Sequence, residues 1–233
     1  MCASRLRPSQ VLPPELRVLE DEIVACGQCE RLRRHCIEIG EVKRRAYRDH
    51  TYWAKPVPSF GDPEARLLIV GLAPGAHGAN RTGRLFTGDK SGEFLYRALC
   101  ETGFASQASS VARGDGLRLR DCWITASVRC APPGNKPLPV EFARCRPYLV
   151  RELGLLKRVR VVVCLGRLAF DTYLSVTSQR RSAFHFEHGR LHEGLSPLII
   201  SSYHPSQQNT STGRLTREML HQVFHSARLL LED

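Results

Sequence analysis

A chain of 233 residues with 42% hydrophobic content has room for one α/β domain with a full core, and it contains no run of about 18 apolar residues, which excludes a membrane-spanning helix of the usual kind. The net charge of +11, from 34 Lys and Arg against 23 Asp and Glu, points to a polyanionic partner, because these side chains displace counterions from phosphates; arginine-rich codon usage gives the same excess. Nine cysteines, an odd number behind an N-terminus without the apolar core of a signal peptide, argue against a disulfide framework and for a cytosolic protein whose thiols bind metal or are buried.

In chain order, residues 12–36 read as helix. The Pro-rich stretch "RDHTYWAKPVPSFGDPEA", residues 48–65, reads as an ordered connection, since Tyr52, Trp53 and Phe60 call for burial. Four short runs rich in β-branched residues read as strands: 66–71, 121–128, 158–166 and 197–203. "VVVCL" shows no alternation, so both faces of the sheet are covered. Helical patterns fill 90–103, 139–153 and 167–176, and a last helix carries Leu215, Met219, Val223, Ala227 and Leu230 near helical spacing. Strands alternating with helices define an α/β class with a mainly parallel sheet. Ligands of such sheets bind beyond the carboxyl ends of the strands, which directs attention to loops 71–89, 129–138 and 203–214.

The first loop, "GLAPGAHGANRTGRLFTGD", has five glycines, which let backbone approach a planar ligand. It lacks the G-K-[ST] ending of a phosphate-binding loop and the GxGxxG fingerprint. Phe86 either stacks on a base or plugs the loop into the core. Asp89, the loop's one carboxylate, activates water, orients His204 or caps the next helix. His204 leaves the last strand in "YHPSQQNTSTGRL", as a donor to a developing anion, as an acid or base, or as a structural strand-end residue. Asn135, in "VRCAPPGNKPLP", reads both edges of an amide-like group or merely makes a turn. Cys26 and Cys29 form a C-x2-C pair, and Cys130 and Cys145 flank the loop of Asn135. Four thiolates suit Zn2+ or a [4Fe–4S] cluster, and the spacing does not separate them. Cys36 is near enough to Cys29 to compete as a ligand; Cys2 and Cys100 carry no signal, and Cys122 and Cys164 read as core.

These three loop motifs, the four cysteines and "YWAKPVPSFGDP" together resemble the iron–sulfur uracil-DNA glycosylases, family 5, over nearly the whole chain. The resemblance implies a three-layer α/β/α sandwich around a four-stranded parallel sheet, as one domain of residues 1–233. It implies a [4Fe–4S] cluster on Cys26, Cys29, Cys130 and Cys145, tying a helical segment of about residues 1–47 to the loop of Asn135. The implied reaction flips a base out of DNA and hydrolyses its N-glycosidic bond, without a lyase step. Other branches carry a carboxylate or amide in or just after the first motif, where this chain has Leu72 and Ala76. The implied catalytic set is His204, near uracil O2, with Asp89 as the candidate for the water or the sugar cation. The implied base pocket is Gly71, Leu72, Ala73, Pro74, Gly75, Ala76 and His77 with Phe86 stacked on the base and Asn135 on its Watson–Crick edge. Ser206, Gln207, Gln208 and Asn209 would enter the minor groove, with Arg214 on a phosphate and Asn80, Arg81 and Arg84 clamping flanking phosphates. The expected substrates are uracil, hydroxymethyluracil, ethenocytosine and hypoxanthine in DNA, and the expected state is a monomer in the cytoplasm. Two other classes fit parts of the sequence: a damage-binding protein that flips without cutting, and a zinc-stabilised nucleic-acid-binding module.

Overall fold

A computed structural model describes residues 11–232. Cys2, with the rest of residues 1–10 of the N-terminal segment, and Asp233 lie outside the described residues. The chain opens with α1 (Pro14–Ala25) and α2 (Glu30–Val42). It continues through β1 (Phe60–Gly61), β2 (Leu67–Gly71), α3 (Ala79–Thr82), α4 (Lys90–Glu101) and β3 (Cys122–Ala126). Then come α5 (Pro139–Leu155), β4 (Val161–Leu165), α6 (Arg167–Val176), β5 (Arg190–His192), β6 (Leu198–Ser202), α7 (Gln207–Ser211) and α8 (Arg217–Glu232).

The four expected strands are present and form the parallel core β3-β2-β4-β6. The expectation of four strands is corrected at the edges. Short antiparallel strands β1 and β5 close the sheet to six, in the order β1-β3-β2-β4-β6-β5. A strand of two or three residues is too short to carry a period-two signal. The single helix expected over 12–36 is also corrected. Cys26 is extended (φ −63°, ψ 126°) and Cys29 leaves helical geometry (φ −114°, ψ 86°), so the C-x2-C pair is the break between α1 and α2. Gly27 between them is a poor helix former, which periodicity alone passes over.

The three layers follow from the two covered faces. Leu67, Ile69, Ile124 and Val163 pack with Leu95 and Leu99 of α4 and Leu220 and Phe224 of α8. Leu68, Val70, Trp123 and Val162 pack with Phe170 and Leu174 of α6 on the other face. Each such side chain contributes about 1.5–3 kcal/mol by leaving water. Cys122 and Cys164 are core residues of this sheet, as expected. Leu19 and Ile23 seat α1 on Tyr148 of α5. Among the described residues no helix is long and apolar enough to cross a membrane.

A buried polar network braces the exit of β3. Arg129 donates to Glu152 Oε2 at 2.8 Å, to Thr125 Oγ1 at 2.8 Å and to Ser59 Oγ at 2.6 Å, and Trp123 Nε1 donates to Glu152 Oε1 at 2.9 Å. Both charged side chains are 2% exposed, so each depends on the other for compensation. The network anchors the exit of β3, one residue before Cys130.

Candidate active site

Parallel strands discharge their loops at one end of the sheet, and here the three glycine- and proline-rich loops follow β2, β3 and β6. Loop 71–89 starts where Ser127 donates to Gly71 O through both N–H (2.9 Å) and hydroxyl (3.0 Å), and Val128 N–H donates to Leu72 O at 2.9 Å. Phe86 has a φ of 51°, which turns its ring back over Gly71. A Cβ on Gly71 would lie 2.9 Å from that ring, so only glycine fits beneath it. Ala73 and Ala76 rest on the buried cysteine patch.

Asp89 is the N-cap of α4, where Oδ1 accepts from Gly92 N–H at 2.9 Å. Its other oxygen faces loop residues 75–78: a Cβ on Gly78 would sit 1.9 Å from Oδ2, and one on Gly75 at 2.9 Å. Burial raises the carboxyl pKa, and the N–H groups of Gly92 and Ser91 and the Arg81 charge oppose it. The capping role and a fixed second oxygen therefore coexist in one side chain.

His204 follows β6. Asn209 Nδ2 donates to the His204 carbonyl at 2.9 Å, and a Cβ on Gly166 would press on the His204 side chain at 3.2 Å. Burial pushes its pKa down to about 4, so the ring is neutral at pH 7 and keeps one N–H donor and one acceptor. The Phe86 and His204 rings stand 5.8 Å apart, 33° from coplanar. Beside His204 opens a recess of about 260 Å³ walled by Leu72, Leu165, Gly166, Phe186, Tyr203 and Arg214. The Arg214 guanidinium lies over the Tyr203 ring at 4.6 Å.

His77 is braced on the other flank of the loop: its Nδ1 is 2.8 Å from the Tyr52 hydroxyl, and burial, then Arg44 and Arg81, lower its pKa. Ser206 caps α7 by accepting from Asn209 N–H, while Gln207 and Gln208 are exposed. Asn135 is exposed at the tip of its loop with a φ of 58°. Pro74 and Gly75 complete the turn, where Gly75 O accepts from the N–H groups of Gly78 (3.2 Å) and Asn80 (3.0 Å).

The expected phosphate clamp of Asn80, Arg81 and Arg84 is corrected. All three are buried. Asn80 Nδ2 donates to Cys36 O at 3.2 Å. Arg81 donates to His77 O at 2.8 Å and Gly88 O at 2.7 Å and lies over the Tyr47 ring at 4.0 Å. Arg84 donates to Thr87 Oγ1 at 2.9 Å and pairs with Asp115 at 2.8 Å. Burial raises the Asp115 pKa, but Arg84 and the N–H groups of Val111, Leu117 and Ala112 outweigh it and hold it at about 2. A glycine-rich loop has few apolar side chains with which to fill its own underside, and these polar groups fill it.

Cys29, Cys36, Cys130 and Cys145 share one buried cluster, whereas Cys26 packs in a separate one with Leu19, Ile23 and Tyr148, the last of these one turn past Cys145. None of these thiols is in a disulfide. Burial pushes the Cys145 thiol up to about 12, and the Cys29 thiol also rises. Cys36 Sγ donates to Ala131 O at 3.7 Å, which places it beside the start of the Asn135 loop. Among the described residues no three His, Cys, Asp or Glu side chains are arranged to hold a single metal ion. A four-iron cluster asks less of their convergence, because each thiolate binds a different iron. The helices that carry the thiols are also joined without them: Arg31 and Glu141 make a two-pronged pair at 2.8 and 2.9 Å, and Arg144 donates to Gln28 O at 2.8 Å.

Sequence reasoning gave Tyr52 a burial role only and assigned no site role to Gly166, Phe186 or Tyr203. Gly166 had a signal, since it directly follows the strand "VVVCL"; Phe186, from a segment without periodicity, had none.

A covered parallel sheet whose strand ends bring together a glycine-rich loop, an aromatic ring and a neutral histidine is the frame of an α/β enzyme for a flat ligand. Residues 58–228 match the family model of the uracil DNA glycosylase superfamily. The chain is 51% identical over 213 residues to the Type-5 uracil-DNA glycosylase of Thermus thermophilus, covering 89% of this chain and 94% of that one. It is 42% identical over 207 residues to the Type-5 enzyme of Pyrobaculum aerophilum, 89% of each chain, and 32% identical over 155 residues to the Type-4 uracil-DNA glycosylase of Archaeoglobus fulgidus, 64% of this chain and 70% of that one. The chain belongs to the uracil DNA glycosylase superfamily, in its type-5 branch, and is a hydrolase of N-glycosyl bonds.

Proposed function

We propose that this chain releases uracil and other deaminated or damaged bases from DNA by flipping the nucleotide and hydrolysing its N-glycosidic bond, leaving an abasic site. The observation that carries this reading is the neutral His204 imidazole held beside Phe86 at the mouth of loop 71–89. Phe86 leaves no gap above Gly71, so a base stacks on the side of the ring turned away from that glycine. The C1′–N1 bond breaks with its electron pair moving into the base, and C1′ becomes oxocarbenium-like. The N–H of neutral His204 donates to the developing oxyanion at uracil O2. Water then adds to C1′ and loses a proton. Asp89, its Oδ1 tied to the helix, offers Oδ2 to that water or to the sugar cation. Asn135, exposed on its loop, reads the Watson–Crick edge of the base, and Leu72 and Ala76 bring no polar side chain of their own to it, which favours broad specificity. Residues 206–209 enter the minor groove, with Arg214 on a phosphate.

Cys26, Cys29, Cys130 and Cys145 hold a [4Fe–4S] cluster in this reading. The cluster supplies a redox-capable cross-link; the residues themselves seat the α1–α2 break against α5 and the start of the Asn135 loop.

The test is base release from a uracil-containing duplex by wild type, His204→Ala and Asp89→Ala, with alkali revealing abasic sites. Wild-type release that drops about a hundred- to thousandfold in His204→Ala supports the reading, that being the effect of one lost oxyanion donor. Tight binding without release by the wild type would replace it with damage binding.

A further inference from the structure

Asn80, Arg81 and Arg84 are turned inward, so cations for a DNA backbone have to be sought elsewhere on the surface. A second hollow, of about 490 Å³, lies between α4 and α7. Lys90, Phe94 and Arg97 wall it from α4; Gln207, Thr210 and Arg217 wall it from the α7–α8 side. It adjoins the first recess, because Asn209 and Arg214 line that one while Gln207 and Thr210, from the same short segment, line this one. Lys90, Arg97 and Arg217 are exposed. None of the three enters an ion pair among the described residues, whereas exposed Arg151, Arg167, Arg181 and Arg190 each pair with a carboxylate. The hollow holds one acid, Glu93. Thr210 supplies a hydroxyl, and the half-buried Phe94 supplies an apolar surface for a sugar.

We infer that this hollow is a second DNA-backbone site, in which Lys90, Arg97 and Arg217 take phosphates of the strand running past the flipped nucleotide, on the far side of α7 from the base. The inference rests on the glycosylase reading only for the position of the flipped base. Cations outside any ion pair and beside hydroxyls fit a chain of phosphates, and the hollow is open at the surface, as a passing strand needs. Glu93 sets the sign of the control: a carboxylate beside phosphates weakens binding, so neutralising it strengthens binding.

The experiment measures the affinity of full-length protein for a duplex carrying an uncleavable 2′-fluoro-deoxyuridine, by fluorescence anisotropy over a range of potassium chloride concentrations. Lys90→Ala, Arg97→Ala, Arg217→Ala, their triple combination and Glu93→Gln are compared with wild type, with thermal melts to establish folding. Each lost cation is expected to reduce the slope of log K against log salt by about 0.9, additively in the triple variant. Glu93→Gln is expected to bind tighter than wild type. Single-turnover release from uracil-containing duplex at saturating protein should fall far less than affinity. An unchanged slope in the folded triple variant overturns the inference, and so does weaker binding by Glu93→Gln. Wild type that binds DNA without releasing uracil overturns the glycosylase reading instead, while the salt slopes still decide the hollow.

Discussion

Gly78→Ala moves the Asp89 carboxylate without altering its chemistry. The new Cβ would lie 1.9 Å from Asp89 Oδ2 and 2.6 Å from Cγ, against a practical limit of 3.0 Å, so the carboxylate must shift by about an ångström. Gly78 has a φ of −98° and a ψ of −102°, outside the regions a side chain favours, so the substitution adds backbone strain to the displacement, and the urea melts read the two together. Loss of the cap to Gly92 N–H costs about 1 kcal/mol of stability. If Oδ2 positions the water or the sugar cation, a displacement of that size lowers the rate about a hundredfold. The assay is single-turnover release of uracil at saturating protein, with urea melts run in parallel. Asp89→Asn keeps a capping side chain and should melt near wild type while losing the rate. A folded Gly78→Ala protein with a wild-type rate constant would refute the placement of Asp89 in the chemistry and leave it as a helix cap alone.

Glu152→Ala leaves Arg129 buried and unpaired and should cost about 3–5 kcal/mol, read as a lowered urea midpoint with an unchanged slope. The depressed pKa of His204 gives a signed pH dependence. Its imidazole titrates near 6.5 when unfolded and about 4 when folded, so the unfolded chain takes the proton first as the pH falls. That contribution to stability is full above pH 6.5, falls through the window, and is lost below pH 4, about 3 kcal/mol in all; His204→Asn should flatten that part of the stability profile. Iron and sulfide analysis of wild type should return roughly four of each per chain, and Cys145→Ala should lose both with the brown charge-transfer absorption. Zinc in place of iron would contradict the cluster assignment.

The four central strands were legible because strands buried on both faces are nearly continuous apolar runs. No such run marks β1 or β5, where pairing to a neighbour, and not side-chain pattern, creates the strand. His204 was legible as a residue at a strand exit and Phe86 as the one apolar ring of a glycine-rich loop, and the fold brings their rings together. The arginines of loop 71–89 were misread for a physical reason. In sequence an arginine among glycines looks solvated, yet a loop with so few apolar side chains is filled by whatever long side chain can turn inward and find carbonyls. Arg81 finds two, at His77 and Gly88. The helix break at Cys26–Cys29 was hidden because helical spacing continues on both sides of it.

The short edge strands reach beyond the sheet itself. β1 spans two residues and β5 three, so neither edge exposes a ladder long enough to template a neighbouring chain. Each margin of the sheet is thereby guarded against cross-chain strand pairing, the usual route by which an open sheet edge seeds aggregation.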